Sequence, residues 1–379
     1  MRLHSETNMF IKFLSGKFQN SFLKFSALFF VYSFFLVNCT PEKTAKENAP
    51  SKADEQIKFY IDKISQSPKN YPSYALLANA YLDKTRETGD PQYLAEARKS
   101  VEKSMEIQPN YQAMKTAAMI ANYSHRFSDA VIWAEKAAQG SPEGLQLDSE
   151  VSAILIEAYL GLGQTEKAEK VLDDLTAVGK KPDDFFIAVS RGHLYTAGNK
   201  TDEAVKAFEA AADFAEKQNA RDLVVWANVM AAGCLLDSSR TAEAKPYLEK
   251  AEQLVPENKL LQIHRAELLL AENRPQEALE KYEDLLKSGD DPEIHRQAFL
   301  VAQQLNQNES AEKHFRSAVQ GFQKIIASGE IYTLGPLAQV YCDADRNLAA
   351  AERLARQNLE YKMDNEARKT YDCIKEKLP

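Results

Sequence analysis

An alanine that returns every 33 to 40 residues, with a second residue four positions on and a third seven on, constrains this chain more than any other feature. The instances are Ala97/Val101/Ser104, Ala130/Ala134/Ala137, Ala168/Leu172/Leu175, Ala204/Phe208/Ala211, Ala244/Leu248/Ala251, Ala278/Tyr282/Leu285, Ala311/Phe315/Ala318 and Ala350/Leu354/Gln357. Offsets of four and seven keep all three residues on one stripe of a helix, and repetition of the stripe at this period is the mark of stacked helix pairs. The expected architecture is therefore an array in which each unit touches mainly its neighbours, so one body can run through most of the chain.

Composition fits helices. Only 14 of 379 residues are Gly and 14 Pro, while 44% are apolar and 27% charged, a balance rich in helix formers and poor in turn residues. The formal charge is −8. Arg2, Lys12, Lys17 and Lys24 against Glu6 give residues 1–38 a local +3, which leaves −11 for the rest. A protein that grips nucleic-acid backbones needs a basic face, so no nucleic-acid partner is expected.

Phe25 to Val37 is a run of thirteen residues without a charge, preceded by scattered lysines and followed by Asn38 and Cys39. That layout is an export signal. As a helix it reaches roughly 20 Å, short of the roughly 30 Å hydrocarbon core, so a signal peptide over residues 1–38 is favoured above a membrane span. Leu36-Val37-Asn38-Cys39 resembles a bacterial lipobox, although Asn38 stands where Gly, Ala or Ser is usual and the stretch before the apolar run is long; translation from Met9 would shorten it. The resemblance implies lipidation of Cys39, with palmitate-type chains and membrane attachment; the plainer alternative is an ordinary cleavage site beside a small residue. Two or more buried acyl chains hold a protein stably where one does not. Residues 39–54 are polar and contain no large apolar residue, as a flexible tether would be.

When the recurring alanine is set at position 20 of a 34-residue unit, other markers fall into phase. Tyr74, Leu77, Ala78 and Tyr81 occupy positions 4, 7, 8 and 11 of the first unit; Leu155, Ile156 and Tyr159 repeat the stripe in the third; Gly192 and Tyr195 in the fourth; Leu337, Ala338 and Tyr341 in the last. Small residues at 8 and 20 let the two helices of a unit approach closely, and Pro68, Pro109, Pro142 and Pro256 near position 32 cannot continue the second helix. Asn-Lys and Asn-Arg pairs supply the short polar residues that end the first helix. Extra residues between Tyr81 and Ala97, about Asp83 to Pro91, and the 40-residue step from Ala204 to Ala244 imply longer helices or loops there.

On these markers residues 70–363 resemble the tetratricopeptide repeat family. The resemblance implies an all-α, right-handed α-solenoid of about eight helix pairs over residues 55–379. A leading half repeat is expected at 54–66, with Ile57, Tyr60, Ile61 and Ile64 inward, and a closing helix from Asp364 to Leu378 with a polar outer face. It also implies a concave groove lined by the first helix of each unit, which carries over to Asn79, Lys115, Asn122, Tyr123, Glu157, His193, Trp226 and Arg296. Tyr123 and Trp226 are the candidate anchors for a protein or peptide partner, since large amphipathic rings serve that role; burial against the next helix is the alternative for each. The family's dicarboxylate clamp is met only loosely, by Asn79 and Lys115.

Catalytic signatures are missing. His4, His125, His193, His264, His295 and His314 form no HExxH pair and no Cys/His metal spacing. Gly161-Leu162-Gly163 lacks the third glycine and preceding strand of a phosphate loop, and no glycine-framed nucleophile serine occurs. No enzyme activity, metal or cofactor is expected. Cys234, Cys342 and Cys373 fall on expected helices as small apolar residues; in an oxidising compartment Cys342 and Cys373, on neighbouring first-type helices, are within reach of a disulfide if their Cα atoms lie within about 7 Å. The function expected is that of a membrane-anchored, exported scaffold holding a protein partner in the bacterial cell envelope, with a slight lean to the outer membrane and the body in the periplasm or at the cell surface. The alternative is an envelope enzyme or glycan-binding module on helical repeats.

Overall fold

The computed structural model describes residues 51–141, 148–177 and 184–378. The expected signal peptide, Cys39, most of the tether and Pro142 lie outside them. Among the described residues there are eighteen helices and no strand. They are α1 Lys52–Gln66, α2 Tyr71–Thr88, α3 Pro91–Ile107, α4 Tyr111–Tyr123, α5 Phe127–Gln139, α6 Ser149–Gly161, α7 Thr165–Ala177, α8 Phe185–Ala197 and α9 Thr201–Lys217. There follow α10 Arg221–Asp237, α11 Thr241–Leu254, α12 Lys259–Ala271, α13 Pro275–Leu286, α14 Pro292–Gln304, α15 Asn308–Ala327, α16 Leu334–Asp343, α17 Leu348–Leu359 and α18 Asn365–Lys377. Helices α2 to α17 pack as eight consecutive pairs, α1 covers the first and α18 the last. The protein is an α-solenoid of helix pairs.

The recurring alanines do what their size allows. Ala97, Ala130, Ala168, Ala204, Ala244 and Ala278 are fully buried, and Ala311 nearly so. The last unit departs from the expected phase: Ala351 and Ala355 are buried there, whereas Ala350 and Leu354 are only partly so. The cause is its turn, which takes four residues and holds both Asp345 and Asn347 in the left-handed region, so α17 starts one step out of register.

Six other turns within pairs are three residues long, and each puts its middle residue at positive φ: His125, Gly163, Asn199, Ser239, Asn273 and Asn306, at 55° to 67°. In all six the next amide reaches back five residues, as in Arg126 N to Ala121 O at 2.9 Å and Lys200 N to Tyr195 O at 2.8 Å. This is the Schellman closure, which needs a left-handed residue and so favours Gly and Asn. Asn-Lys and Asn-Arg end these helices through their backbone conformation.

The irregular spacings are absorbed as extra helical turns. α2 and α3 run 18 and 17 residues, α9 and α10 17 each. α1 begins at Lys52, capped by Ser51, a little ahead of the boundary expected at 55. Because α1 packs on one neighbour only, Ile61 is 45% and Phe59 52% exposed, so Ile61 does not point inward as expected.

Candidate binding site on the inner face

The first helices of successive pairs, α2, α4, α6 and α8, pack one on the next, so a polar residue at the same height on each meets its counterpart. Four of the residues expected in an open groove form such a column. Asn122 on α4 donates from Nδ2 to Glu157 Oε2 at 3.1 Å and to the Ile154 carbonyl at 3.2 Å. Glu157 on α6 has Oε1 3.7 Å from Nδ1 of His193 on α8. The His193 ring lies 6.0 Å, edge to face, from that of Trp226 on α10.

All four are buried, Asn122, Glu157, His193 and Trp226 between 3% and 5% exposed. Burial raises the Glu157 carboxyl to about 8, with the Arg86 charge and the Asn122 hydrogen bond opposing only in part. It lowers His193 to about 4. At neutral pH the pair is therefore a protonated acid beside a neutral imidazole. Trp226 packs against Phe185, Phe208 and His193 at 5.9 to 6.4 Å, as a core ring.

The remaining expected residues are also engaged. Asn79 Oδ1 accepts from Thr116 Oγ1 at 2.7 Å. Lys115 pairs with Glu150 and stands 5.7 Å over the Tyr111 ring. Asn79 and Lys115 thus have separate partners and do not form a clamp. Arg296 on α14 is buried and pairs with Glu293 at 2.9 Å and Asp343 at 3.1 Å; burial opposes its charge, but these carboxylates outweigh it and its pKa is raised. Glu293 itself is pushed up to about 7 by burial against the pull of Arg296.

The inner face is covered because the array closes on itself. The segment between α15 and α16 reaches the first two pairs: Glu330, 1% exposed, takes both guanidinium nitrogens of Arg98 on α3, one at 2.9 Å, while Arg98 also donates to Ser124 Oγ at 2.6 Å. The Tyr332 ring lies 5.7 Å from Tyr123 and 6.0 Å from His125. Tyr123 is thereby desolvated, its phenol raised to about 12. A second junction lies between α17 and α18, where the Met363 amide donates to the Gly161 carbonyl at 2.7 Å. Where an open groove was expected, the chain's own C-terminal third covers the inner face.

Sequence reasoning missed Arg98, Glu330, Tyr332 and the Lys362–Arg368 stretch, because no local pattern links residues so far apart. Arg86 and Asp83 carried a signal: they sit in the extra turn that lengthens α2, paired at 3.0 Å. Burial lifts Asp83 to about 6. Cys342 on α16 and Cys373 on α18 have Cα atoms 6.7 Å apart and sulfurs at bonding distance; Cys234 is a buried free thiol. Among the described residues no group of three or more His, Cys, Asp or Glu is arranged to hold a metal ion, and no helix is long and apolar enough to cross a membrane.

Residues 240–290, from the start of α11 to beyond α13, match a family model described as YpiA-like, tetratricopeptide repeats. The fold is similar to that of human IFIT1 in a dimer with PPP-AAAA, at 17% identity over 86% of this chain and 76% of that one, TM-score 0.45. It is similar to a tetratricopeptide repeat protein from Parabacteroides merdae ATCC 43184, at 16% identity over 82% and 100%, TM-score 0.44, and to yeast Tom70, at 16% over 76% and 70%, TM-score 0.45. No curated protein sequence matches the chain.

Proposed function

We propose that this tetratricopeptide-repeat protein is an exported, lipid-anchored scaffold that holds a protein or extended peptide segment on the inner face of its array, in the bacterial cell envelope. The tetratricopeptide match over residues 240–290 supports a protein-interaction role, because stacked helix pairs present extended binding surfaces. The observation that carries the finer reading is the composition of the closure. Arg98–Glu330, Arg126 to the Gly329 carbonyl at 3.4 Å and Met363–Gly161 are polar contacts, and the rings they bring together, Tyr123 and Tyr332, are amphipathic. Polar contacts exchange for those of a partner strand at little net cost, whereas an apolar core does not. A segment that displaces the C-terminal third would find Tyr123 and the Asn122–Glu157–His193 column beneath it.

The anchor rests on the lipobox resemblance at Cys39, and the export on the apolar run before it. A Cys342–Cys373 pair at bonding geometry suits an oxidising compartment. The acidic balance of the body favours a protein partner over a nucleic acid.

One observation speaks for the alternative of an enzyme or glycan-binding module: Glu157 keeps its proton at neutral pH beside a cavity. Asp364, the other carboxyl there, is tied to Lys362 at 3.4 Å and caps α18 through the Ala367 amide, so an acid is present without a free base opposite it.

Crosslinking and pull-down from intact envelopes tests the scaffold. The expected outcome is a specific protein partner, captured in greater yield by a Glu330→Ala variant whose closure is weakened. Recovery of no partner, with turnover of some substrate instead, overturns it. Metabolic labelling tests the anchor: Cys39→Ala is expected to lose palmitate incorporation and partition into the aqueous phase.

A further inference from the structure

Where the C-terminal stretch crosses α6, α7 and α8 it does not pack flush. It leaves a cavity of about 110 Å³. The floor is Glu157 and His193, and the rim carries Lys362, Met363, Asp364 and Arg368. Met363 and Arg368 are exposed, so the cavity has a mouth.

Four features of its chemistry point the same way. His193 is 4% exposed, and neither ring nitrogen has a hydrogen-bond partner among the described residues, although both are shielded from solvent. A buried polar group of that kind is costly unless something fills the space with a matching donor or acceptor. Arg368 makes no ion pair among the described residues; its Nη2 lies 3.7 Å from where a Cβ on Gly163 would stand, at the wall of the mouth. The helices α7 and α18, thirteen residues each, both begin at the cavity, with Thr165 and Asn365 in its lining; the amino end of α18 is taken by the Asp364 carboxylate, so the end of α7 is the one that faces the space. Lys362 is held by both Asp364 and Glu366, so the cation at the rim with no ion pair among the described residues is Arg368.

We propose that this cavity binds a small organic carboxylate, its charged end held by Arg368 and the amino end of α7, and its far end, a hydroxyl or carbonyl, held by His193 and Glu157. A cavity of about 150 Å³ takes up benzene, so this one holds a molecule somewhat smaller. Arg368, without an ion pair among the described residues, matches one carboxylate. The neutral imidazole and the protonated carboxyl supply one acceptor and two donors, which suit a hydroxyl or a carbonyl group. Because the floor belongs to α6 and α8 and the rim to the C-terminal stretch, a bound carboxylate also ties the closure together. This site is separate from the scaffold reading and does not depend on it.

Calorimetric titration of the full chain in detergent with lactate, acetate and inorganic phosphate tests it, alongside the thermal midpoint. Expected is one lactate per chain, with a raised midpoint, and weaker binding by acetate, which lacks the distal hydroxyl. Arg368→Gln, on an exposed position, is expected to weaken lactate about tenfold or more, while Arg353→Gln, also exposed, leaves it unchanged. His193→Phe, which fills the floor, is expected to abolish binding. The proposal is overturned if no carboxylate binds, if binding is the same in Arg368→Gln, or if phosphate alone binds through Arg368.

Discussion

Arg98 and Glu330 lie 232 residues apart in sequence and face each other through both guanidinium nitrogens across the junction of the two ends of the array. Glu330 is buried and Arg98 is 30% exposed, so the pair is only partly shielded. Glu330→Ala is expected to cost about 2 kcal/mol, the range for a charge-assisted hydrogen bond lost at a partly wet site. Hydrogen exchange checks the location: amides in 328–333 and 122–127 should lose protection together, while α10 to α13 keep theirs. Uniform loss along the chain would contradict a local closure.

Gly163 serves two constraints at once. It sits at φ 67°, and a Cβ there would lie 2.8 Å from the Met363 carbonyl oxygen. Gly163→Ala is therefore expected to destabilise by about 1–3 kcal/mol. Gly161→Ala, whose Cβ would fall 2.4 Å from the Phe127 ring, should cost a similar amount by overpacking. Limited proteolysis separates the two: Gly163→Ala loosens the α17–α18 segment, Gly161→Ala the α5–α6 contact.

Glu157 gives stability a pH dependence of unusual sign for a carboxylate. Folded, it keeps its proton to about 8; unfolded, it releases it near 4.5. Between those values the folded state binds more protons, so stability falls as pH rises and levels off above 8. His193 acts oppositely: it is neutral in the fold down to about 4 but titrates near 6.5 when unfolded, so its contribution grows as pH rises from 4 to 6.5. The window from 6.5 to 8 isolates the carboxyl, with Glu293 adding to the fall up to about 7. Urea midpoints should drop across that window by an amount on the order of 1 kcal/mol, and Glu157→Gln should flatten most of the drop.

Cys342 and Cys373 enclose a loop with a sequence separation of 31. A bridge of that span is worth roughly 3.5–4 kcal/mol. Non-reducing peptide mapping of the protein should recover the two cysteines as one linked peptide, with Cys234 alkylated only after denaturation. Paired Cys342→Ser and Cys373→Ser substitutions should lower the thermal midpoint and free α18 first.

Much of the array was legible in the sequence because its determinants are local. Ala204 and Phe208 share one stripe of α9, and the Phe208 ring lies against Gly192 of the preceding helix, only sixteen residues back. The last unit slipped by one position because a turn with two left-handed residues, Asp345 and Asn347, carries no more signal than one with a single such residue. The inner face was read residue by residue as including Asn122, Glu157, His193 and Trp226, which are buried in the structure. Their burial was invisible, because what covers them, Glu330, Tyr332 and Met363, belongs to units that a period-based reading treats as remote. The cavity at Arg368 depends on that same crossing.

The closure gives the molecule a history. Synthesis runs from the N-terminus, and Glu330 and Met363 are made after Arg98 and Gly161, which they touch. A ring drawn shut by its own tail stays open until that tail arrives. A segment present before then is enclosed, and one that comes later has to prise the ring apart. Timing then selects the occupant as much as affinity does, in the way that a clasp fastened last decides what a bracelet holds.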